Sequence, residues 1–332
     1  MKKGFVRFDY FLDQLESLLQ QSCVDENPAW WLYKNNARTP LFMLESLCRI
    51  YMTVLEKKPF QKLQDQFKAL EDALGRVDMY DGFANEFSQK PAIDVHAKEY
   101  FYKKTELHVD RLNEMLLKEG WLGAGGKRLK KIRKKLNQID WIKDKKEIKA
   151  IHFLFETSVE EIKTFFEKNK NGFTDLEDQL HELRRMLRWL SINGHALRGA
   201  VQLMDTGFKS GLTMNYITEA VEQSPYNKLP EAAENRYVLL LDKTIFLTMS
   251  GLIDQLGTLK DSGLRILLLA EAVQQSRQLN SNLALLGAYE LLGIDEDGLQ
   301  KILTNATNAC KPFFNEELLD KLVLGVGTTT EN

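Results

Sequence analysis

The run Gln179-Leu180-His181-Glu182-Leu183-Arg184-Arg185-Met186-Leu187-Arg188-Trp189 decides how this chain is read. Its leucines recur at three- and four-residue steps, the spacing that gathers apolar groups on one face of an α-helix. Each residue of such a helix advances about 100° around the axis. With His181 as origin, Arg184, Arg188, Ser191 and His195 fall between about 280° and 340°, giving a polar stripe roughly 80° wide. Leu176, Leu180, Leu183, Leu187, Leu190 and Val201 fall at about 180° to 260°, on the neighbouring face. The stripe therefore borders the core, where long cations can bury their stems and present their heads to a groove. Ordinary surface arginines on a bundle-edge helix are the plain alternative.

Downstream of this helix comes Leu256-Gly257-Thr258-Leu259-Lys260-Asp261. The first half repeats the pairing: a helical pattern over 39–52 contains Arg49, and Leu74-Gly75-Arg76-Val77-Asp78 follows. The duplication predicts two related helical halves, residues 1–170 with a degenerate repeat and 171–332 with a better-kept one, around a shared surface. Arginine suits phosphate because its planar fork donates two hydrogen bonds at once.

Almost every other segment has helical rather than alternating periodicity. Helices are expected over 5–21, 41–56, 60–87, 95–118, 127–141, 148–167, 174–204, 237–256, 263–279, 283–292 and 297–309, with a short piece over 316–324. Turn signals separate them, at Lys58-Pro59, Gln89-Lys90-Pro91, Gly123-Ala124-Gly125-Gly126, Asn169-Lys170-Asn171-Gly172 and Ser224-Pro225. Thr174-Asp175-Leu176-Glu177 reads as a capping box opening the central helix. The class expected is all-α.

Composition bounds the rest. A chain of 332 residues, 44% hydrophobic with only 7 Pro, can bury a large ordered core. No stretch reaches the roughly 18 uninterrupted apolar residues of a membrane span, and Met1-Lys2-Lys3-Gly4-Phe5 lacks an apolar signal core, so a cytoplasmic location is expected. Cys23, Cys48 and Cys310 are odd in number and far apart, which suits buried small hydrophobes better than a disulfide framework or zinc site. The net charge of −2 gives no global attraction to a polyanion, so such binding must come from local clustering. The 127–149 region is one cluster, with Lys130, Lys131, Arg133, Lys134, Lys135, Lys143, Lys145, Lys146 and Lys149. A solvated face, a landing surface for an anionic partner and a membrane-surface helix are its three readings, the last weakened by the lack of an aromatic before Trp141.

The order His181, Arg184, Arg188, then Leu256-Gly257 ending in Asp261, resembles the second half of a CHAD domain, the conserved-histidine α-helical domain. In that family a histidine is followed by basic residues at three, seven and usually ten positions. Here the position at ten is Ser191. Aligned through Leu74-Gly75, the first half has Thr39 for the histidine, Phe42 and Ser46 at the next two places, and only Arg49 keeps a charge; Asp78 comes one residue early, where Met79 takes the aspartate's place. The resemblance implies two antiparallel helical bundles related by a pseudo-twofold and the binding of inorganic polyphosphate or another polyanion. The resemblance and the polar stripe together give His181, Arg184, Arg188, Lys260, Arg49 and His195 as candidate phosphate-binding residues. A half so stripped of charge equally suits a chain that has lost the activity.

Other chemistry is thin. His96, His108, His152, His181 and His195 form no His-Glu-x-x-His pair, so no metal is expected. His152, between Ile151 and Phe153, reads as a packed histidine. Gly123 to Arg128 lacks the spacing and hydroxyl of a phosphate-cradling loop. No nucleophile elbow, dinucleotide fingerprint or catalytic carboxylate pair appears, so an enzyme ranks third and no cofactor is expected. A polyanion-binding module comes first and a helical scaffold for a protein partner second. Whether the 205–236 insertion closes over the stripe is left open.

Overall fold

The structure, a computed structural model, describes residues 2–55, 57–123 and 126–329. These are mostly helical, with one three-stranded sheet. By compactness the chain forms two units, Met1–Ile142 with Leu268–Gly293, and Lys143–Leu267 with Ile294–Asn332. These units are set by compactness, and the expected halves 1–170 and 171–332 rest on the sequence alone.

The first unit contains α1 (Lys3–Ser22), α2 (Pro28–Lys34), α3 (Arg38–Val54), α4 (Lys57–Ser88), α5 (Val95–Lys118) and α6 (Lys127–Asn137), with the end of α10 (Lys243–Arg277) and α11 (Ser281–Leu292). Asn27 and Asp94 cap α2 and α5 by accepting from backbone amides of the first turn. Phe8, Tyr51, Phe60 and Trp141 pack in one aromatic cluster, and the buried Arg7 donates to the Tyr51 hydroxyl at 2.7 Å. Trp141 lies beyond the end of α6, which stops at Asn137 rather than running to 141; its indole donates to the Leu136 carbonyl, which leaves the ring free to enter this cluster. The expected helix over 41–56 begins at Arg38, and Glu56 lies outside the described residues, as do Ala124 and Gly125 of the glycine-rich connector.

The second unit holds α7 (Asp144–Asn169), a π-helical turn (Leu176–His181), α8 (Glu182–Ala196), β1 (Val201–Met204), the short α9 (Glu219–Gln223), β2 (Tyr237–Asp242), the larger part of α10, α12 (Gly298–Asn315) and β3 (Val323–Thr328). The sheet runs β1-β2-β3, with β1 parallel to β2, β3 antiparallel to it, and an irregularity at Leu240/Leu241. The described residues are thus mostly helical, in keeping with the all-α class expected, and the three short strands are the exception to it.

Three expected helices change where the sheet forms. The one over 174–204 ends at Ala196, because Arg198 and Gly199 take positive φ of 46° and 83° and the chain leaves as β1. Only glycine fits there, since a β-carbon on Gly199 would stand 2.0 Å from the Glu231 carbonyl oxygen. The 237–256 segment begins as a buried strand: Val238, Leu239 and Leu241 are buried, and a short continuous apolar run reads alike as buried strand or helix. Asp242 ends it and starts α10, its carboxylate accepting from the Ile245 amide at 2.9 Å and from the Thr206 hydroxyl. The 316–324 piece shortens to a 3₁₀ turn over Leu318–Lys321 and continues as β3.

Two local expectations also change. Asp175, not Thr174, caps the central helix by accepting from Glu177 and Asp178, while Gln179 reaches back to the Thr174 and Asp175 amides. The Leu256-Gly257 step is no break: α10 is continuous from Lys243 to Arg277 and carries Gly251, Gly257 and Gly263 inside it.

Candidate functional site

The apolar face of α8 is buried as its spacing requires, Leu183 and Leu187 fully so. The polar stripe beside it does not open onto free cationic heads. His181 ends the π-helical turn, a wider turn that carries an extra residue, and its Nδ1 lies 2.9 Å from Oε1 of Glu177. Arg184 donates from Nε to the Ile253 carbonyl at 3.1 Å, and its guanidinium rests over Gly257 of α10. Burial draws its pKa below the usual arginine value, against the opposing fields of Asp261 and Asp254. Lys260, on α10, pairs with Asp261 at 2.5 Å. Asp261 pairs with Lys260 and lends its field to Arg184, while α8 meets α10 through the Arg184 bond to the Ile253 carbonyl and its rest over Gly257.

Arg188 is half-buried and has an interaction partner of its own. His195 faces the carbonyl of Tyr226, 2.8 Å from Nε2. Tyr226 belongs to the 205–236 insertion, whose Leu229 also reaches within 3.2 Å of the β-carbon position of Gly194. The insertion thus closes over the C-terminal end of α8. Arg49 lies in the other unit, on α3, held by the buried Glu45 through Nε at 3.1 Å and Nη2 at 2.9 Å.

Sequence reasoning missed Arg38. Its Nε and Nη2 donate to Glu71 at 2.8 and 2.6 Å, its Nη1 donates to Asp78 at 2.6 Å, and it lies over Gly75 as Arg184 lies over Gly257. Burial raises the Glu71 pKa, and Arg38 counters it. In the register set by that contact, Arg38 matches Arg184, Phe42 matches Arg188, and Arg49 matches His195. An alignment that sets Thr39 against His181 lies four residues out of this register and passes over Arg38; the glycine inside each long helix is the signal that finds it. Asp78, although one residue early for the family pattern, answers Arg38 together with Glu71.

The other expectations resolve variously. His152 is half-buried and pairs with Glu156 at 3.3 Å rather than packing in the core. Cys48 and Cys310 are buried, which pushes both thiols up, whereas Cys23 is exposed. The basic region divides: α6 turns Arg133 onto Asp9, Asp13 and Glu16 of α1, at 2.8, 2.5 and 2.6 Å. Lys130, Lys131, Lys134 and Lys135 stay exposed and make no ion pair among the described residues. Among the described residues no helix is long and apolar enough to cross a membrane.

No protein-family model, curated protein or solved structure matches this chain. The likeness to the CHAD family rests on the residues alone.

Proposed function

We propose that this chain is a non-enzymatic helical scaffold that binds a protein partner, its arginine stripe having become part of the internal framework. One observation supports this reading above the polyphosphate groove. Each of His181, Arg184, Arg188, Lys260, Arg49 and His195 already has a partner within the fold. To meet a phosphate, Arg184 would exchange a bond to a backbone carbonyl and the field of Asp261 for the ligand. Leaving a buried acceptor unpaired costs about 1–3 kcal/mol, and that cost opposes each new bond to a phosphate oxygen.

Titration with labelled long-chain polyphosphate at low and moderate salt tests this. The scaffold reading expects no saturable binding that depends on Arg184 and Arg188, together with a stoichiometric complex reconstituted from purified partner and this chain. Saturable binding at low salt that is abolished by R184E/R188E overturns it and restores the polyphosphate groove.

A second reading is favoured by α6, whose four exposed lysines make no ion pair among the described residues. Here the polyanion lands on the outer face of α6 instead of the stripe. Binding would persist in R184E/R188E and disappear on charge reversal at Lys130, Lys131, Lys134 and Lys135. Its salt dependence would be shallow, because few counterions are released when few cations engage.

A further inference from the structure

We propose that α4 and α5 form a binding site for a phosphate group, free or as a monoester, with Arg76 and Arg111 as its cationic arms and His108 between them. This rests on neither reading of the stripe. On α5, Tyr100, Lys104, His108 and Arg111 follow at steps of four, four and three, which aligns them along one side of the helix. On α4, Arg76 and Tyr80 stand one turn apart. The two rows face each other, since the rings of Tyr80 and His108 stack with centroids 5.0 Å apart and planes 12° apart. Lys104 lies across the row, its Nζ 5.9 Å from the Tyr80 ring and 5.2 Å from the Tyr100 ring.

The two ends of this cluster differ in charge. At one end Glu271, from the part of α10 in the same unit, accepts from the Tyr100 hydroxyl and lies 3.8 Å from Lys104. At the other end Arg76 and Arg111 are exposed and make no ion pair or hydrogen bond among the described residues. One carboxylate is set against three cations around a buried histidine. Burial, then the fields of Arg76, Arg111 and Lys104, hold the His108 pKa below the usual histidine value.

Like charges gathered this way are unfavourable by themselves and become favourable with an anion among them. Two guanidinium forks with no carboxylate to answer them match the several oxygens of a phosphate better than a single carboxylate. His108, once protonated, adds a donor at the floor. A free phosphate and an organic phosphate ester share this chemistry, and the two probes below separate them.

The test follows the His108 ring resonances of the full chain, assigned with H108N, during titration with inorganic phosphate and separately with phenyl phosphate at constant ionic strength. Either probe is expected to saturate and to raise the His108 pKa. R76A and R111A, whose side chains are exposed, should each weaken binding by about tenfold or more, the equivalent of one charge-assisted bond. K168A, which removes an exposed lysine on α7, should leave binding unchanged. Tighter binding of phenyl phosphate assigns an organic ester, and equal binding assigns the free anion. No saturable shift at His108 with either probe overturns the site. So does saturable binding that both arginine variants leave intact.

Discussion

The Nε and Nη2 atoms of Arg184 stand 3.0 Å from the point that a β-carbon on Gly257 would occupy. In the first unit, Nη2 of Arg38 stands 3.0 Å from the same point on Gly75. An arginine on one helix therefore settles where the facing helix has no side chain. This explains a glycine in the middle of α4 and of α10, where alanine would favour the helix by about 1 kcal/mol.

The contact makes the sign of a Gly→Ala change depend on how firmly each arginine is held. Arg38 is pinned by Glu71 and Asp78, and displacing it loosens charge-assisted bonds worth about 1.5–3 kcal/mol each. G75A should therefore lose roughly 1 kcal/mol after the better helix propensity of alanine is counted. Arg184 is held by one backbone carbonyl, so G257A should lose less. On an R38A background, G75A should turn stabilising. Urea melts of the four-variant cycle decide it, and a G75A loss that persists without Arg38 refutes the contact as its cause.

Gly251, also inside α10, presents a harder limit. A β-carbon there would lie 2.1 Å from the carbonyl oxygen of Tyr216, a backbone atom that cannot swing away. Tyr216 is itself fixed, its hydroxyl donating to the Ala309 carbonyl at 2.8 Å and its ring packing on Phe313. G251A should cost about 3 kcal/mol or more and do so by lifting the insertion off α10. Hydrogen exchange should quicken in residues 213–227 before it quickens elsewhere. A melt within about 0.5 kcal/mol of the parent would remove this claim.

The helices were legible because their periodicity is strong, as in the leucines of α8, and because amphipathic burial obeyed it. The sheet was not. Val238 to Leu241 is a four-residue apolar run between two neighbours, and period alone cannot tell a doubly paired strand from a buried helix. Asp242, a cap at the junction, and Arg198-Gly199, a left-handed stop, were the readable signals there. The stripe residues on α8 follow helical spacing, but their partners come from 69 residues away in Ile253 and 31 away in Tyr226. Spacing along a chain says nothing of acceptors brought in by tertiary packing.

Arg133 is the fastening of α6 to α1. Three carboxylates converge on it, from Asp9, Asp13 and Glu16, and burial alone would lower its pKa, yet those hydrogen bonds raise it. Removing the cation leaves three like charges on one face of α1. R133A should loosen α6 and cost about 1–2 kcal/mol, discounted because the ion pairs are partly exposed. R133K should restore only part, since one ammonium cannot address three carboxylates as a planar fork does. Amide exchange in Leu129 to Leu136 reads the outcome, and unchanged protection in R133A would contradict it.

His108 gives the fold a pH dependence whose sign is fixed by its surroundings. Facing it are Arg76 and Tyr80 from α4, Tyr100, Lys104 and Arg111 from α5, and Glu271 from α10 at the far end of the row. Burial and the cations hold its folded pKa below the unfolded value of about 6.5. Near that pH the unfolded chain thus binds more protons than the folded one, and stability falls as protons are added. The loss begins as pH drops through about 6.5 and is complete below the folded pKa. H108Q removes this linkage while keeping a polar side chain of similar reach. Denaturation midpoints of parent and H108Q, measured from about pH 7.5 down to about 5, should therefore converge or cross as the solution is acidified, because only the parent carries the histidine's slope. Saturating phosphate should flatten the parent's slope and leave that of H108Q unchanged, since a bound dianion raises the His108 pKa toward its unfolded value. Parallel curves for the two proteins across that range would show that His108 titrates alike in the folded and unfolded chain, and the cationic cluster would lose its effect on the histidine.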